Sequence, residues 1–304
     1  MSRNARLAAA LLVLPLVAGV AACSSSASAD GAASATCPNG KIRFGVEPYE
    51  DPAKLLPAYQ TLAKALGDKL DCPVEVQVVD DYSAEVLAMQ NGELELGEFG
   101  PLGFVFATDR AKAEALASFA TADGKLSTYT AGIWVPKDSP IQKVADLKGK
   151  GLALGSTGST SGDAMPRKAL ADAGIAEKDV HITYAGGHPE AMLALVNGQV
   201  DAAEINSQTQ ASATAEGKFD ASKYREIWVS GDLPNDPITV AGSASPEFKK
   251  AVKDALLSLD ASTVKQIGEF LDVDPAGPLV AVDKSTYQEL FDLAASLHLT
   301  EKDV

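Results

Sequence analysis

The feature that most constrains this chain is a run of glycine and hydroxyl residues, 155–162 (GSTGSTSG), which follows an apolar segment, 151–154. The apolar segment is typical of a buried strand, and the residues after the run are typical of a helix. Glycine lets a backbone turn tightly, and the first N–H groups of a helix have no intrahelical partner. One hydroxyl suffices for an N-cap, and this corner holds Ser159, Thr160 and Ser161. The run therefore predicts an anion site, with ordinary helix capping as the alternative.

The amino terminus predicts export. An apolar run, 7–22, follows two arginines and is too short and too interrupted for a membrane span. It ends in VAAC, which resembles the lipobox of bacterial lipoproteins. That resemblance implies a signal peptide over 1–22 and a lipid on Cys23, at the outer face of the cell membrane; an ordinary signal peptide is the alternative. Residues 23–36, mostly Ser, Ala and Gly, predict a flexible tether.

Two cysteines remain, Cys37 and Cys72, and each stands just before a predicted strand. Outside the cell such a pair is expected to form a disulfide. If the two strands are parallel neighbours, their starts are adjacent and the geometry is natural. A zinc site is a poor alternative, because two cysteines supply only half of the usual ligands.

The order of apolar segments predicts an α/β fold. The formal net charge of −15 argues against nucleic acid as a partner. Strands alternate with helical patterns, which predicts parallel sheets flanked by helices. The predicted strands are 42–46, 74–79, 94–99, 118–122, 151–154, 180–184, 200–205, 224–229 and 238–241.

Two crossing segments, 129–135 and 233–237, predict that the chain folds into two lobes. The first lobe takes 37–130 plus 236–304, and the second takes 131–235. In open α/β sheets, ligands bind at the carboxyl ends of the strands. Three corners at those ends precede helices: Tyr82-Ser83, Ser159-Thr160-Ser161 and His188-Pro189. This placement allows three positive helix ends to converge on one anion.

Several of these segments together resemble the phosphate, phosphite and phosphonate-binding proteins of ABC transporters. The resemblance runs from about residue 41 to the C-terminal helices. Its most specific pieces are 158–162 (GSTSG), Gly187-His188, 197–203 (NGQVDAA), Ile227-Trp228 and 234–237 (PNDP). It implies a two-lobed, type II binding-protein fold and no enzymatic activity, cofactor or metal. The implied partners are a small phosphorus oxyanion, a permease and its ATPase subunit, with the protein itself a monomer.

The resemblance also implies roles for individual residues. Ser159, Thr160 and Ser161 bind the phosphoryl oxygens, and His188 donates to another oxygen. Tyr82 and Tyr129 contact the ligand from the first lobe, and Asp236 accepts a hydrogen bond from a protonated ligand oxygen. From the residues alone, the tyrosines are equally suited to packing, and for Asp236, between two prolines, the alternative role is to stabilise a turn.

One position departs from the family pattern. Relatives that bind an aminophosphonate carry a glutamate where this chain has Gln208, and a neutral amide cannot give the ligand's ammonium a charge-assisted hydrogen bond. We therefore expect phosphite, phosphate or methylphosphonate as the ligand. Tyr49 is a further candidate for contact.

Three other functions fit the sequence less well. A serine hydrolase would use Ser159 or Ser161 with His188 and Asp236, but the Gly-x-Ser-x-Gly elbow is absent from this corner. A nucleotide-binding enzyme lacks its glycine-rich motifs here. A two-lobed protein for an amino acid would need an arginine at a corner, and one for a metal is disfavoured by a total of three histidines.

Overall fold

The computed structural model describes residues 34–300. The predicted signal peptide 1–22, the lipidation site Cys23 and most of the tether 23–36 lie outside the described residues. Within 34–300, the helices are all too short or too polar to cross a bilayer.

The chain alternates strands and helices as predicted. The strands are β1 Ile42–Val46, β2 Val74–Val78, β3 Leu96–Glu98, β4 Glu114–Ser118, β5 Thr128–Tyr129, β6 Gly132–Pro136, β7 Gly151–Leu154, β8 His181–Tyr184, β9 Ala202–Glu204, β10 Tyr224–Val229, β11 Leu233–Pro234, β12 Pro237–Val240 and β13 Val280–Ala281. The helices are α1 Pro52–Leu70, α2 Tyr82–Gln90, α3 Pro101–Ala111, α4 Met165–Asp172, α5 His188–Val196, α6 Ser207–Ala215, α7 Pro246–Leu257, α8 Ala261–Phe270 and α9 Gln288–Ser296.

Two sheets form two lobes, which confirms the α/β architecture. The first lobe holds a six-stranded sheet of order β13-β4-β12-β3-β1-β2, and the second holds a five-stranded sheet of order β10-β6-β9-β7-β8. Each sheet is mixed. The predicted parallel pairing holds for β1 with β2 and β3 and for β7 with β8 and β9. The strands that enter directly after a crossing, β6 and β12, run antiparallel to their neighbours.

The two crossings pair with each other. β5 and β11 form a two-stranded antiparallel ribbon in which Tyr129 is opposite Leu233. This ribbon carries the chain between the sheets at both predicted crossing segments. Tyr129 therefore lies where the two lobes meet.

Two elements differ from their predicted positions. The strand expected over 118–122 lies instead at Glu114–Ser118 (β4). Lys112, the C-cap of α3, has a left-handed φ of 54°, and this turn starts the strand two residues later. The small residues of β4 have weak strand propensity, so the sequence pattern favoured the wrong segment. The helix expected from residue 163 begins as a π-helical turn, Thr160–Ala164, and becomes α-helical at Met165, which puts Pro166 in the tolerant first turn.

The starts of β1 and β2 are joined covalently. Ile42 is in register with Val74 on the parallel neighbour, and the Cα atoms of Cys37 and Cys72 are 5.4 Å apart in a disulfide. The expected pairing is thus present. It lies at the amino ends of the strands, on the opposite side of the sheet from the predicted ligand corners.

Candidate functional site

Three hydroxyl residues that follow β7, Ser159, Thr160 and Ser161 (the hydroxyl run), are buried. Ser159, Thr160 and Ser161 are each 2 % exposed. The Ser159 Oγ caps the π-helical turn by accepting the Gly162 N–H at 3.1 Å. Asn206, from the end of β9, donates its side-chain N–H to the Ser161 Oγ at 3.2 Å. Of the three hydroxyls, only that of Ser159 accepts an N–H of this π-helical turn.

Asp163 holds the loop before this turn in place, a role that sequence reasoning missed. Its carboxylate accepts the Gly158 N–H at 3.0 Å and the Tyr184 hydroxyl at 2.8 Å. Gly158 has φ of 85°, which favours glycine at this position. Burial raises the pKa of Asp163, while these two hydrogen bonds act in the opposite direction.

His188 begins α5 and lies between a hydroxyl and a carboxylate. Its Nε2 is 3.3 Å from the Ser159 Oγ, and its Nδ1 is 2.7 Å from the Glu204 Oε1. Glu204, the last residue of β9, is fully buried. Burial opposes charge on the ring, but the carboxylates of Glu204, Asp236 and Glu190 together outweigh it, so the pKa of His188 is raised. Glu204 sits in an apolar strand, and the sequence carries no signal that places it beside His188.

The first lobe supplies two tyrosines to the hydroxyl run. Tyr82 begins α2, whose N-cap Asp81 accepts the Ala84 N–H at 2.7 Å. The Tyr82 hydroxyl contacts Ser159. The Tyr129 hydroxyl contacts Thr160 and Ser161. Burial raises the pKa of both phenols, so both are neutral donors at physiological pH.

Asp236 is buried next to a second carboxyl group. It precedes β12, and its carboxyl lies near that of Glu98 at the end of β3. Burial raises the pKa of Asp236 to about 7, and burial beside Asp236 raises that of Glu98 well above its usual range. Like charges in contact cannot both ionise without a large penalty. The pair therefore holds at least one proton over much of the physiological range.

Two further carboxyl groups of the first lobe lie near this pair. The Glu47 Oε2 accepts the Gly100 N–H at 2.6 Å, and a Cβ at Gly103 would lie 2.4 Å from its Oε1. Glu85, from α2, lies over Gly45 and Gly97. Burial raises the pKa of both groups. Glu85 and Glu98 stand within an apolar helix and strand, and Glu47 stands in the polar loop after β1, so the sequence carries no signal that brings these three carboxyl groups together.

Gln208 and Tyr49 lie beside the cluster rather than in its centre. Gln208 donates to the Asn235 Oδ1 at 2.7 Å and to the Leu271 carbonyl at 3.3 Å. The Tyr49 hydroxyl is 3.1 Å from that of Tyr59. With His188 and neighbouring residues, Gln208 and Tyr49 line a crevice of only about 10 Å³.

The structure thus brings together seven of the predicted ligand residues: Tyr82, Tyr129, Ser159, Thr160, Ser161, His188 and Asp236. The expected hydrolase grouping, Ser159 or Ser161 with His188 and Asp236, forms in part. His188 bonds to Ser159, but Glu204 rather than Asp236 bonds to the other ring nitrogen. This order of serine, histidine and carboxylate has a hydrolase-like connectivity, but the Ser159 Oγ is buried and capped by the Gly162 N–H.

Comparison with known proteins also indicates a substrate-binding protein. A family model described as "ABC transporter, phosphonate, periplasmic substrate-binding protein" matches residues 44–287. The phosphonates-binding periplasmic protein of Escherichia coli is 28% identical over 222 residues, which span 71% of this chain and 65% of that relative, just under two thirds of its length. The phosphate-import protein PhnD of Mycolicibacterium smegmatis is 26% identical over 223 residues, 70% of each chain.

The fold also has solved counterparts. PhnD1 from Prochlorococcus marinus, in complex with methylphosphonate, superposes with a TM-score of 0.74 at 21% identity. The match covers 85% of this chain and 98% of that one. At this identity the likeness establishes the type II binding-protein fold.

Proposed function

Because the chain belongs to the family of periplasmic phosphonate-binding proteins of ABC transporters, whose members bind substrates rather than transform them, we propose that it captures a small phosphorus oxyanion between its two lobes. The ligand would be phosphite, phosphate or a small alkylphosphonate such as methylphosphonate. The relatives that carry "phosphate" and "methylphosphonate" in their descriptions support this range.

One observation carries the proposal. Hydroxyl donors from two lobes meet at three helix beginnings, although Tyr82, Tyr129 and Ser159 are far apart in the sequence. Helix N-termini favour anions because their N–H groups are unpaired and their dipole is positive there. In this arrangement Ser159, Thr160, Ser161 and His188 would bind the phosphoryl oxygens, with Tyr82 and Tyr129 donating from the first lobe.

Asp236 would select for a protonated oxyanion. A carboxylate accepts a hydrogen bond from a P–OH group, whereas fully deprotonated sulfate has no proton to donate. Leaving a buried acceptor unpaired costs about 1–3 kcal/mol. The position of Asp236 beside Glu98 supports this role, because the pKa of Glu98 is raised well above its usual range, so Glu98 holds a proton while Asp236 loses its own above about pH 7 and becomes an acceptor.

The surroundings of Gln208 support a small ligand. Its amide is already held by Asn235 and Leu271, and the crevice that it lines is about 10 Å³, room for about one water molecule. A long or ammonium-bearing substituent finds neither space nor a countercharge from Gln208. This favours small oxyanions over 2-aminoethylphosphonate.

The transport role follows from the family. The lobes, 37–130 plus 236–304 and 131–235, would close over the ligand by bending at the β5–β11 ribbon. The closed monomer would then deliver the ligand to a membrane permease driven by an ATPase subunit. We propose that Cys23 is lipidated and anchors the protein to the outer face of the cell membrane.

Titration calorimetry of the soluble form, residues 24–304, tests the ligand. We expect phosphite, phosphate or methylphosphonate to bind at least about a hundredfold more tightly than sulfate or 2-aminoethylphosphonate, a difference of about 2.7 kcal/mol. Preferential binding of 2-aminoethylphosphonate would overturn the assignment of Gln208. Binding of sulfate as tightly as phosphate would overturn the role of Asp236.

A further inference from the structure

A buried chain of hydrogen-bonding groups leads from Glu204 to the hydroxyl run. The Glu204 Oε1 is 2.7 Å from the His188 Nδ1, and the His188 Nε2 is 3.3 Å from the Ser159 Oγ. Glu204 is fully buried, and His188 and Ser159 are nearly so. Solvent therefore does not compete for these hydrogen bonds.

The direction of the chain depends on the charge of the ring. In a neutral ring that donates Nδ1–H to Glu204, the Nε2 is unprotonated and accepts a hydrogen bond from the Ser159 hydroxyl. In a charged ring both nitrogens donate, and Ser159 receives Nε2–H. Of these two cases, only the second leaves the Ser159 proton available to another group. A proton on Glu204, whose pKa burial also raises, would instead give a neutral ring that donates Nε2–H, and nitrogen-15 NMR distinguishes that ring from a charged one.

The charge of the His188 ring decides whether the Ser159 hydroxyl can donate a hydrogen bond to an anion. A serine oxygen has two acceptor positions and one proton. The Gly162 N–H occupies one position at 3.1 Å, and Nε2–H of a charged His188 occupies the other. The Ser159 proton must then point to the remaining side, where the Tyr82 hydroxyl lies and where we propose that the ligand binds.

We propose that Glu204 is a positioning residue for the anion site: by accepting Nδ1–H from a charged His188, it directs Nε2–H to Ser159 and turns the Ser159 proton toward the ligand. This deepens the proposed function, on which it rests. It implies that ligand oxygens at Ser159 carry no proton, so that a P–OH group is oriented to Asp236 on the other lobe.

The charged groups around the ring agree with this assignment. Glu204, Asp236 and Glu190 all act to raise the pKa of His188, against the effect of burial. Of these three, Glu204 is the carboxylate that hydrogen-bonds to the ring. Glu190 lies in the first turn of α5 and is exposed, which makes Glu190→Gln a matched control that removes one nearby charge and leaves the ring contact intact.

The first arm of the test is nitrogen-15 NMR of the histidine rings in ligand-free protein, with His188→Asn for assignment among the three histidines. We expect both His188 nitrogens to be protonated at pH 6.5 in the wild type and in Glu190→Gln, and a neutral ring in Glu204→Gln. A neutral His188 in the wild type, or the same titration in Glu204→Gln, would overturn the proposal. This arm is independent of ligand identity.

The second arm is calorimetry with inorganic phosphate and methylphosphonate. We expect Glu204→Gln to weaken binding about tenfold or more and Glu190→Gln by less than about twofold. In Ser159→Ala, the further loss from Glu204→Gln should nearly vanish, because the hydroxyl to be oriented is gone. Additive losses would contradict the positioning role. If neither probe binds the wild type, the proposed function fails and the NMR arm still decides the role of Glu204.

Loss of folding is controlled separately. Circular dichroism and thermal melting of each variant show whether Glu204→Gln remains folded. If it does not, Glu204→Asp replaces it, since the shorter carboxylate keeps the charge and withdraws it from the Nδ1. The NMR expectation for Glu204→Asp is a lower His188 pKa than in the wild type, and an unchanged pKa contradicts the proposal.

Discussion

The backbone N–H of Leu102, in the first turn of α3, donates a 2.8 Å hydrogen bond to the Thr160 hydroxyl of the other lobe. Both residues are buried. An unpaired helix N–H of the first lobe is thus satisfied by a side chain of the second. The contact ties the hydroxyl run directly to the relative position of the lobes.

Replacing Thr160 with valine should therefore weaken ligand binding. The variant keeps the shape of the side chain and removes the acceptor, so the Leu102 N–H is left unpaired when the lobes meet, at a cost of about 1–3 kcal/mol. We expect phosphate affinity to fall by about tenfold or more in calorimetry. Thr61→Val, on the exposed face of α1, is the control and should bind normally; an unchanged affinity in Thr160→Val would contradict the interlobe role.

Asp236 makes stability depend on pH. Its pKa is about 7 in the folded protein, against an ordinary value of 3.8 for an aspartic acid in the unfolded chain. The folded state therefore holds an extra proton between pH 3.8 and pH 7. Stability is then greatest at low pH within this window and falls as the pH rises from about 4 to 7, by about 4 kcal/mol from this group.

Urea unfolding of the ligand-free protein at pH 5 and at pH 7 measures this dependence. Asp236→Asn should flatten the slope, although the raised pKa values of Glu47, Glu85 and Glu98 leave a residual one of the same sign. A slope unchanged by Asp236→Asn would show that Asp236 does not carry the proton.

The Cys37–Cys72 disulfide should stabilise the first lobe without affecting the site. The bridge closes a segment with a sequence separation of 35, and loop-closure entropy for that length predicts a loss of about 3–4 kcal/mol in a Cys37→Ser, Cys72→Ser variant. Urea unfolding measures the loss. Phosphate affinity at low temperature should match that of the wild type, because the bridge lies at the amino ends of the strands; a weaker affinity would contradict this separation.

A second contact between the lobes is electrostatic. The Lys54 Nζ, in α1, is 2.7 Å from the Glu216 Oε1, which follows α6. Both side chains are about a third exposed, so the pair is worth up to about 1 kcal/mol at low salt and less as salt rises.

Charge reversal tests this contact. Lys54→Glu should weaken phosphate binding by about two- to fivefold at low salt, and adding Glu216→Lys should restore it. Lys64→Glu, which breaks a pair with Asp68 inside α1, is the control and should leave binding unchanged. Failure of the double variant to recover would mean that the pair does not contribute to closure.

Much of the fold was predictable because its signals are local. The helical spacing of Leu55, Tyr59 and Leu62 matches a helix whose buried face is formed by these residues. Asp81 and Ser159 have the residue types that cap helix beginnings, and both do so. The sequence pattern predicted the wrong position for β4, because the small residues of this strand have little strand preference and the end of α3 decides where it begins.

By itself, the sequence determined the alternation of strands and helices, the two crossings, and which hydroxyl and aromatic residues stand at helix beginnings. These features depend on neighbours within a few positions. Only the tertiary structure decided that Glu204 supports His188, that Glu98 shares the environment of Asp236, and that Leu102 meets Thr160. Such pairings depend on which strand lies beside which and on how the lobes meet. A buried carboxyl in an apolar strand shows its role only when that distant partner is in place.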